Sequence, residues 1–112
     1  MLSEIEEYIE ELAQSWSEVY KKSITTYLLL SILEKSEMWS KQIHEELSAL
    51  SFGKLALDGK SLHRTLRRLE KQSLVTYRLE SGDKTGAKRK IYSITPEGSH
   101  LLKTIKNKYL IA

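Results

Sequence analysis

The chain has no cysteine, and that one absence removes disulfides, thiolate metal sites and cysteine nucleophiles together. Proline is almost missing: Pro96 stands alone, so no proline-rich linker divides the chain. No apolar run reaches the roughly 18 residues of a membrane-spanning helix, so no membrane partner is expected. The first residues are acidic and periodic. They lack the basic and apolar regions of a signal peptide, and a cytoplasmic location is expected. Internal repeats and low-complexity tracts are absent. At 112 residues the chain reads as a single domain, 1–112, with a thin core that association would help to stabilise.

Charge of one sign is scarce in each half. Residues 1–50 hold 4 Lys/Arg against 10 Asp/Glu, whereas residues 54–90 hold 11 against 4. The whole chain nets only +3, which conceals a basic half suited to a polyanion.

The acidic half opens with Leu2, Ile5, Ile9, Leu12, Trp16 and Val19, spaced alternately by three and four residues. That is a narrow heptad seam, suited to a second helix rather than to a broad core face. Ser3 fits the N-cap, with Glu4, Glu6 and Glu7 near the positive end of the helix dipole. Ser23 either caps a second helix over 24–35 or lies inside a continuous one. TYLLLSIL is apolar nearly all round and predicts a buried, central segment. Met38 and Trp39 read as a turn. Ser40 reads as the cap of a helix over 41–49, with Ile43 and Leu47 facing inward. Gly53 marks a turn, and Leu55-Ala56-Leu57 is a candidate short strand.

The basic half carries the chemistry. Asp58 fits the N-cap of a helix over 59–72. Leu62, Thr65, Leu66 and Leu69 fall on one side, and Lys60, Arg64, Arg67 and Lys71 on the other, with His63 flanking. The bland alternative is an ordinary solvated face, but within this helix Glu70 alone dilutes the cations. Residues 75–81 alternate as a strand, 82–86 form a loop, and 88–94 return. Thr95, Pro96 and Glu97 then open a last helix bearing Leu101, Leu102, Ile105 and Tyr109 on one face. A cationic amphipathic helix followed by a basic-tipped hairpin is how a winged helix-turn-helix meets DNA. The expected fold is therefore mainly α with a small β-hairpin wing, in which residues 24–95 form the winged helix-turn-helix core. Residues 1–22 and 96–110 would add N-terminal and C-terminal dimerisation helices.

Other chemistries fit poorly. Gly59-Lys60-Ser61 resembles the end of a phosphate-binding loop, but the required earlier glycine falls at Lys54. His44, His63 and His100 have no metal-ligand spacing. No nucleophile, base and oxyanion-donor set emerges, so neither an enzyme nor a cofactor is expected. Trp16, Trp39, Tyr8, Tyr20 and Tyr27 read as core or interface residues before they read as an effector pocket.

The blocks LDGKSLHRTLRRLEKQSLV and RKIYSITPEG, with LSFGKLAL before them, are similar to those of the PadR-like winged-helix transcriptional regulators. The resemblance covers about residues 24–105, and the single C-terminal helix resembles the family's short branch. The chain departs from the family pattern at three places. Trp39-Ser40 stands where Gly-Tyr is usual, His63 where tyrosine is usual, and Ser73 where glycine usually closes the recognition helix. The resemblance implies a homodimeric regulator of double-stranded DNA, most often a repressor. Many relatives respond to a small-molecule effector, but no effector residue is carried over.

The DNA-binding residues expected are Lys41, Lys60, Ser61, His63, Arg64, Arg67 and Arg68, with Lys84, Lys88, Arg89 and Lys90 in the wing. Arg64 and Arg67 are the best candidates for base readout, because arginine pairs bidentately with guanine. Lys41, at a helix start, is placed for a backbone phosphate. The dimer interface is expected at Leu2, Ile5, Ile9, Leu12, Trp16, Val19, Leu101, Leu102, Ile105 and Tyr109. The competing function is a winged-helix adaptor that binds an acidic protein and no DNA.

Overall fold

A computed structural model describes residues 3–55, 57–82 and 86–109. The element order is α1 (Glu4–Lys35), β1 (Met38–Trp39), α2 (Ser40–Leu50), α3 (Gly59–Lys71), β2 (Val75–Ser81), β3 (Lys88–Ile94) and α4 (Pro96–Lys108). The fold is mainly helical with a small antiparallel sheet in the order β1-β3-β2.

Helix α1 is continuous for 32 residues, so Ser23 lies inside it rather than capping a second helix. It contains neither glycine nor proline, and nothing local breaks it. The Ser3 hydroxyl accepts from the Glu6 amide at 3.2 Å, as a cap should. The helix has two regimes. Leu29, Leu30, Ile32 and Leu33 near its C-terminal end are buried, whereas Ile5, Ile9, Leu12, Trp16 and Val19 are all exposed. Leu2 lies outside the described residues.

Met38 and Trp39 form a strand, not the expected turn. They pair with β3 in the register Met38↔Tyr92 and Trp39↔Ile91. Two residues are too short to show a period of two, so only the partner strand reveals them. Trp39 rather than Ser40 is the N-cap of α2, and the Gln42 side-chain oxygen accepts from the Trp39 amide at 3.1 Å. A strand is expected at Leu55–Leu57, but Leu55 lies in a turn and Leu57 in no strand. Residues 51–55 make a turn that closes α2, with the Gly53 amide bonded to the Ser48 carbonyl at 2.8 Å. The Leu55 amide is taken by the Ser51 hydroxyl at 3.1 Å, so it has no donor left for a ladder. Ala56 lies outside the described residues.

Helix α3 starts at Asp58, whose carboxylate accepts from the Ser61 amide at 2.7 Å. Leu62, Leu66 and Leu69 are buried. Its end turns through Ser73 at φ 62°, and the Leu74 amide reaches back to the Leu69 carbonyl at 2.9 Å. This is the left-handed helix stop that glycine normally occupies. Strands β2 and β3 form at the expected residues, paired from Val75↔Ile94 to Ser81↔Lys88.

Thr95 caps α4, accepting from the Gly98 amide at 3.0 Å and donating to the Ser73 carbonyl at 2.6 Å. Gly98 is the residue that lets α4 approach this junction. A Cβ there would collide with the Leu74 carbonyl oxygen and lie 2.7 Å from Ile94 Cγ1. The core gathers Leu29, Leu30, Ile43, Leu47, Leu62, Leu66, Leu69 and Leu102, all fully buried. Each such side chain contributes about 1.5–3 kcal/mol relative to exposure. Leu102 therefore cannot be the interface residue expected of it: it is consumed by its own core. Leu101 is half-buried against the same cluster.

Candidate nucleic-acid interface

Three buried leucines fix the roll of α3 about its axis. With Leu62, Leu66 and Leu69 turned inward, Lys60, Arg64, Arg67 and Lys71 occupy the opposite side, and all four are exposed. Among the described residues no ion pair neutralises them. His63 is exposed on the flank, and Ser61 is half-buried, its amide taken by Asp58. The Ser61 amide bond holds the Asp58 carboxyl below its ordinary range, with Arg64 a minor contributor. The cap therefore stays ionised at neutral pH.

Arg68 differs from its neighbours. Its guanidinium donates to Thr26 Oγ1 on α1 at 2.9 Å, which turns it away from the outer face of α3. Lys41 is exposed in the first turn of α2, as expected.

The sheet register sorts the wing cations. Lys88 and Lys90 pair with Ser81 and Leu79, on the face that carries Val75 and Tyr92 into the core. Both lysines are exposed, and Lys90 Nζ sits 4.3 Å from the Tyr77 ring centre. Arg89 points to the opposite face, where its guanidinium lies 4.3 Å over the Trp39 ring. It is half-buried, and its Nε has no hydrogen-bond partner. The aromatic stack compensates part of the lost hydration. On that same face Arg78 bonds Glu37 at 2.6 Å and Glu80 at 2.8 Å. The bond from Arg78 holds Glu37 below its ordinary value, and Glu37 in turn raises Arg78. Trp39 and Glu37 thus tie the segment before α2 to the wing. Lys84 lies outside the described residues.

The structure brings Lys60, Arg64 and Arg67 together on one solvated face, with Lys88 and Lys90 on the core-side face of the hairpin. It leaves Arg68 and Arg89 engaged with protein partners. Thr26 and Trp39, which engage them, were not identifiable from sequence, because both contacts join distant segments. Lys71 shares the face but was not among the expected contacts, although helical spacing already puts it there.

A groove of about 1030 Å³ runs beside α3, between the middle of α1 and the end of α4. Its walls include Tyr20, Lys21, Lys22, Thr26 and Tyr27 from α1. Ser61, Arg64 and Arg68 come from α3, and Ile105 and Tyr109 from α4. Trp16 stacks on Tyr20 just outside, with ring centres 4.9 Å apart and planes within 9°. Among the described residues no helix is long and apolar enough to cross a membrane.

The fold recurs in known proteins. The profile of the transcriptional regulator PadR-like family matches residues 29–104, well over half of the chain. No curated protein matches significantly. A PadR family transcriptional regulator from Eggerthella lenta superposes with a TM-score of 0.73 at 20% identity, covering 91% of this chain and 86% of that one. A PadR-like regulator from Bacillus cereus gives 0.66 at 25% identity, covering 79% and 82%. Bacillus subtilis PadR, solved in complex with operator DNA, gives 0.69 at 18% identity, covering 80% of this chain and 50% of that one. The fold is the winged helix of these proteins, and the family is one of DNA-binding transcriptional regulators rather than enzymes. By the extent of the profile match, the chain belongs to the PadR-like family of transcriptional regulators.

Proposed function

We propose that this protein binds an inverted-repeat operator as a homodimer and acts as a repressor, working in the cytoplasm. The observation that carries the reading is the outer face of α3, where four cations stand exposed opposite three buried leucines. A helix so disposed enters a major groove with its cations toward phosphates and base edges. Arg64 and Arg67 read bases; Lys60, Ser61 and His63 lie beside them. Lys88 and Lys90 meet phosphate or the minor groove, and Lys41 a backbone phosphate. Lys84 is assigned to the wing tip on sequence alone.

The exposed seam of α1 supports the dimer, since an apolar stripe at heptad spacing is unfavourable in water unless a second helix covers it. Tyr109, exposed at the end of α4, and the half-buried Ile105 join the same interface across a two-fold axis. Two recognition helices on one face then require half-sites about one helical turn, roughly 34 Å, apart or at a multiple of it.

Selection of bound sequences from random duplex DNA, followed by footprinting, tests the reading. An inverted repeat with two protected half-sites is expected. Sequence-independent coverage that disappears at physiological salt would count against specific recognition, and no duplex binding at all would favour the adaptor. A reporter driven by the selected site then separates repression from activation.

A further inference from the structure

The outer face of the sheet carries a cluster of its own. In register, Trp39 of β1 and Arg78 of β2 flank Ile91 of the central strand β3. Facing residues of an antiparallel pair share a side of the sheet, so these three lie together. Ile91 is only 6% exposed there, although it points away from the face that carries Tyr92 into the core. Arg78 spans the central strand to reach Glu37, just ahead of β1, at 2.6 Å, and bonds Glu80 on its own strand at 2.8 Å. Nearer the tip, on the same side, the Arg89 guanidinium lies 4.3 Å over the Trp39 ring.

Toward the tip, full burial ends at Ile91. Among the described strand residues beyond it, Leu79, Ser81, Lys88 and Lys90 are exposed. The two that are half-buried, Glu80 and Arg89, both belong to this cluster. In the outer half of the hairpin, burial therefore follows the cluster and not the core.

We propose that Trp39, Glu37, Arg78 and Arg89 form a clamp that sets the pitch of the wing against α3. Arg89 is then a positioning residue for DNA binding rather than a DNA contact. Successive residues of a strand point to opposite sides, so pinning Arg89 outward holds its neighbours Lys88 and Lys90 on the other side. The Arg89 Nε is buried without a hydrogen bond, so the stack on Trp39 is what fixes the side chain. A wing free to rock would have to be ordered at each encounter with DNA, and that ordering opposes binding. Held at one pitch, its lysines engage the duplex as part of the same body as Arg64 and Arg67. Trp39 is also one of the places where the chain departs from the family pattern, so the stack is this chain's own device.

The inference rests on the DNA contacts proposed above for Lys88 and Lys90, and a double-mutant cycle on the full chain tests it. Trp39→Leu removes the ring without changing charge, and Lys88→Ala with Lys90→Ala removes the contacts. In the wild-type background the lysine pair should cost roughly tenfold in affinity for the selected duplex and lower the salt slope by about two units. In the Trp39→Leu background the same pair should cost less than about threefold and lower the slope by less than about one unit. The sequence selected by α3 should be the same in both backgrounds. Trp39→Phe, which keeps a ring under Arg89, should restore the full lysine cost. Glu37→Ala cuts the other half of the clamp at an exposed position, which keeps the test decisive if Trp39→Leu fails to fold. It should shrink the lysine cost too, although losing a carboxylate by itself strengthens attraction to phosphate. An undiminished lysine cost in Trp39→Leu and Glu37→Ala overturns the clamp and leaves the DNA contacts standing. A changed selected sequence in a folded Trp39→Leu places the effect in α3 and overturns the positioning role. No lysine cost in the wild type overturns the wing contacts and the clamp together.

Discussion

Two helical surfaces of this protein are unpartnered in one protomer, and they are unpartnered for different reasons. The outer face of α3 is made of cations, which water solvates well. The N-terminal half of α1 exposes Ile5 at 76% and Trp16 at 66%, which water does not favour. A charged face can wait for its ligand without cost, whereas an apolar seam at this spacing implies a standing partner. On the function proposed above, the difference separates an occasional contact from a permanent one: DNA for α3, a second chain for α1.

Disrupting the seam gives the largest expected effect. Ile9→Asp with Leu12→Asp removes two large apolar side chains from each protomer and puts carboxylates in their place. Each lost side chain contributes about 1.5–3 kcal/mol, and symmetry counts it twice. Sedimentation equilibrium should show a monomer at concentrations where the wild type is dimeric. Operator affinity should fall in parallel, because each half-site is then bound separately. A variant that stays dimeric would leave the seam as a surface feature with no partner.

Gly98→Ala tests the frame that holds both surfaces in place. The added methyl meets the Leu74 carbonyl and the Ile94 side chain, so α4 must lift from the junction that ends α3 and starts the wing. Overpacking of this kind costs about 1–3 kcal/mol. Denaturant unfolding should show a lower midpoint with little change in slope.

The recognition face yields to smaller changes. Arg64→Ala or Arg67→Ala should each lose about 1–3 kcal/mol on the preferred site and relax base choice there. Lys88→Ala or Lys90→Ala should weaken all duplexes alike and reduce the salt slope by about one unit each. If the arginine substitutions leave the selected sequence unchanged, the base-reading assignment on α3 is wrong.

Where the sequence was legible, a local signal sufficed. Asp58 and Thr95 announce two helix starts, and strands at 75–81 and 88–94 follow from alternation between turn residues. The outer face of α3 follows from 3.6-residue spacing alone. What escaped needed long-range partners. Met38–Trp39 is a strand only because β3 offers an edge; Leu55 is the local exception, its amide taken by the Ser51 hydroxyl. Leu102 looked like a free stripe residue because spacing reports which face a residue occupies, not whether the same chain covers it. Arg68 and Arg89 looked like two more cations on a basic surface. Thr26 and Trp39, which hold them, come from elements that only the fold brings near.

The smallest expected effect concerns the start of α3 and its dependence on pH. Asp58 is exposed and accepts the Ser61 amide, and that bond lowers its pKa in the folded state. A carboxylate with a depressed folded pKa contributes stability above its unfolded pKa and loses it as pH falls through the folded value. Asp58→Ala should therefore be less stable than wild type at neutral pH, by the same margin down to about pH 5. The two proteins should converge as the acid range of an ordinary aspartate, near pH 4 and below, is crossed. Asp58→Asn keeps a capping oxygen without the titrating charge. Its deficit at neutral pH should be smaller than that of alanine, the remainder being the charge's interaction with the helix dipole and Arg64. Thermal unfolding of the three proteins across this pH range reads all of these quantities. If the wild-type advantage over alanine is undiminished in acid, hydrogen bonding by the protonated carboxyl rather than by the carboxylate sustains the cap. The cationic face of α3 would then be oriented without any help from charge at its N-terminus.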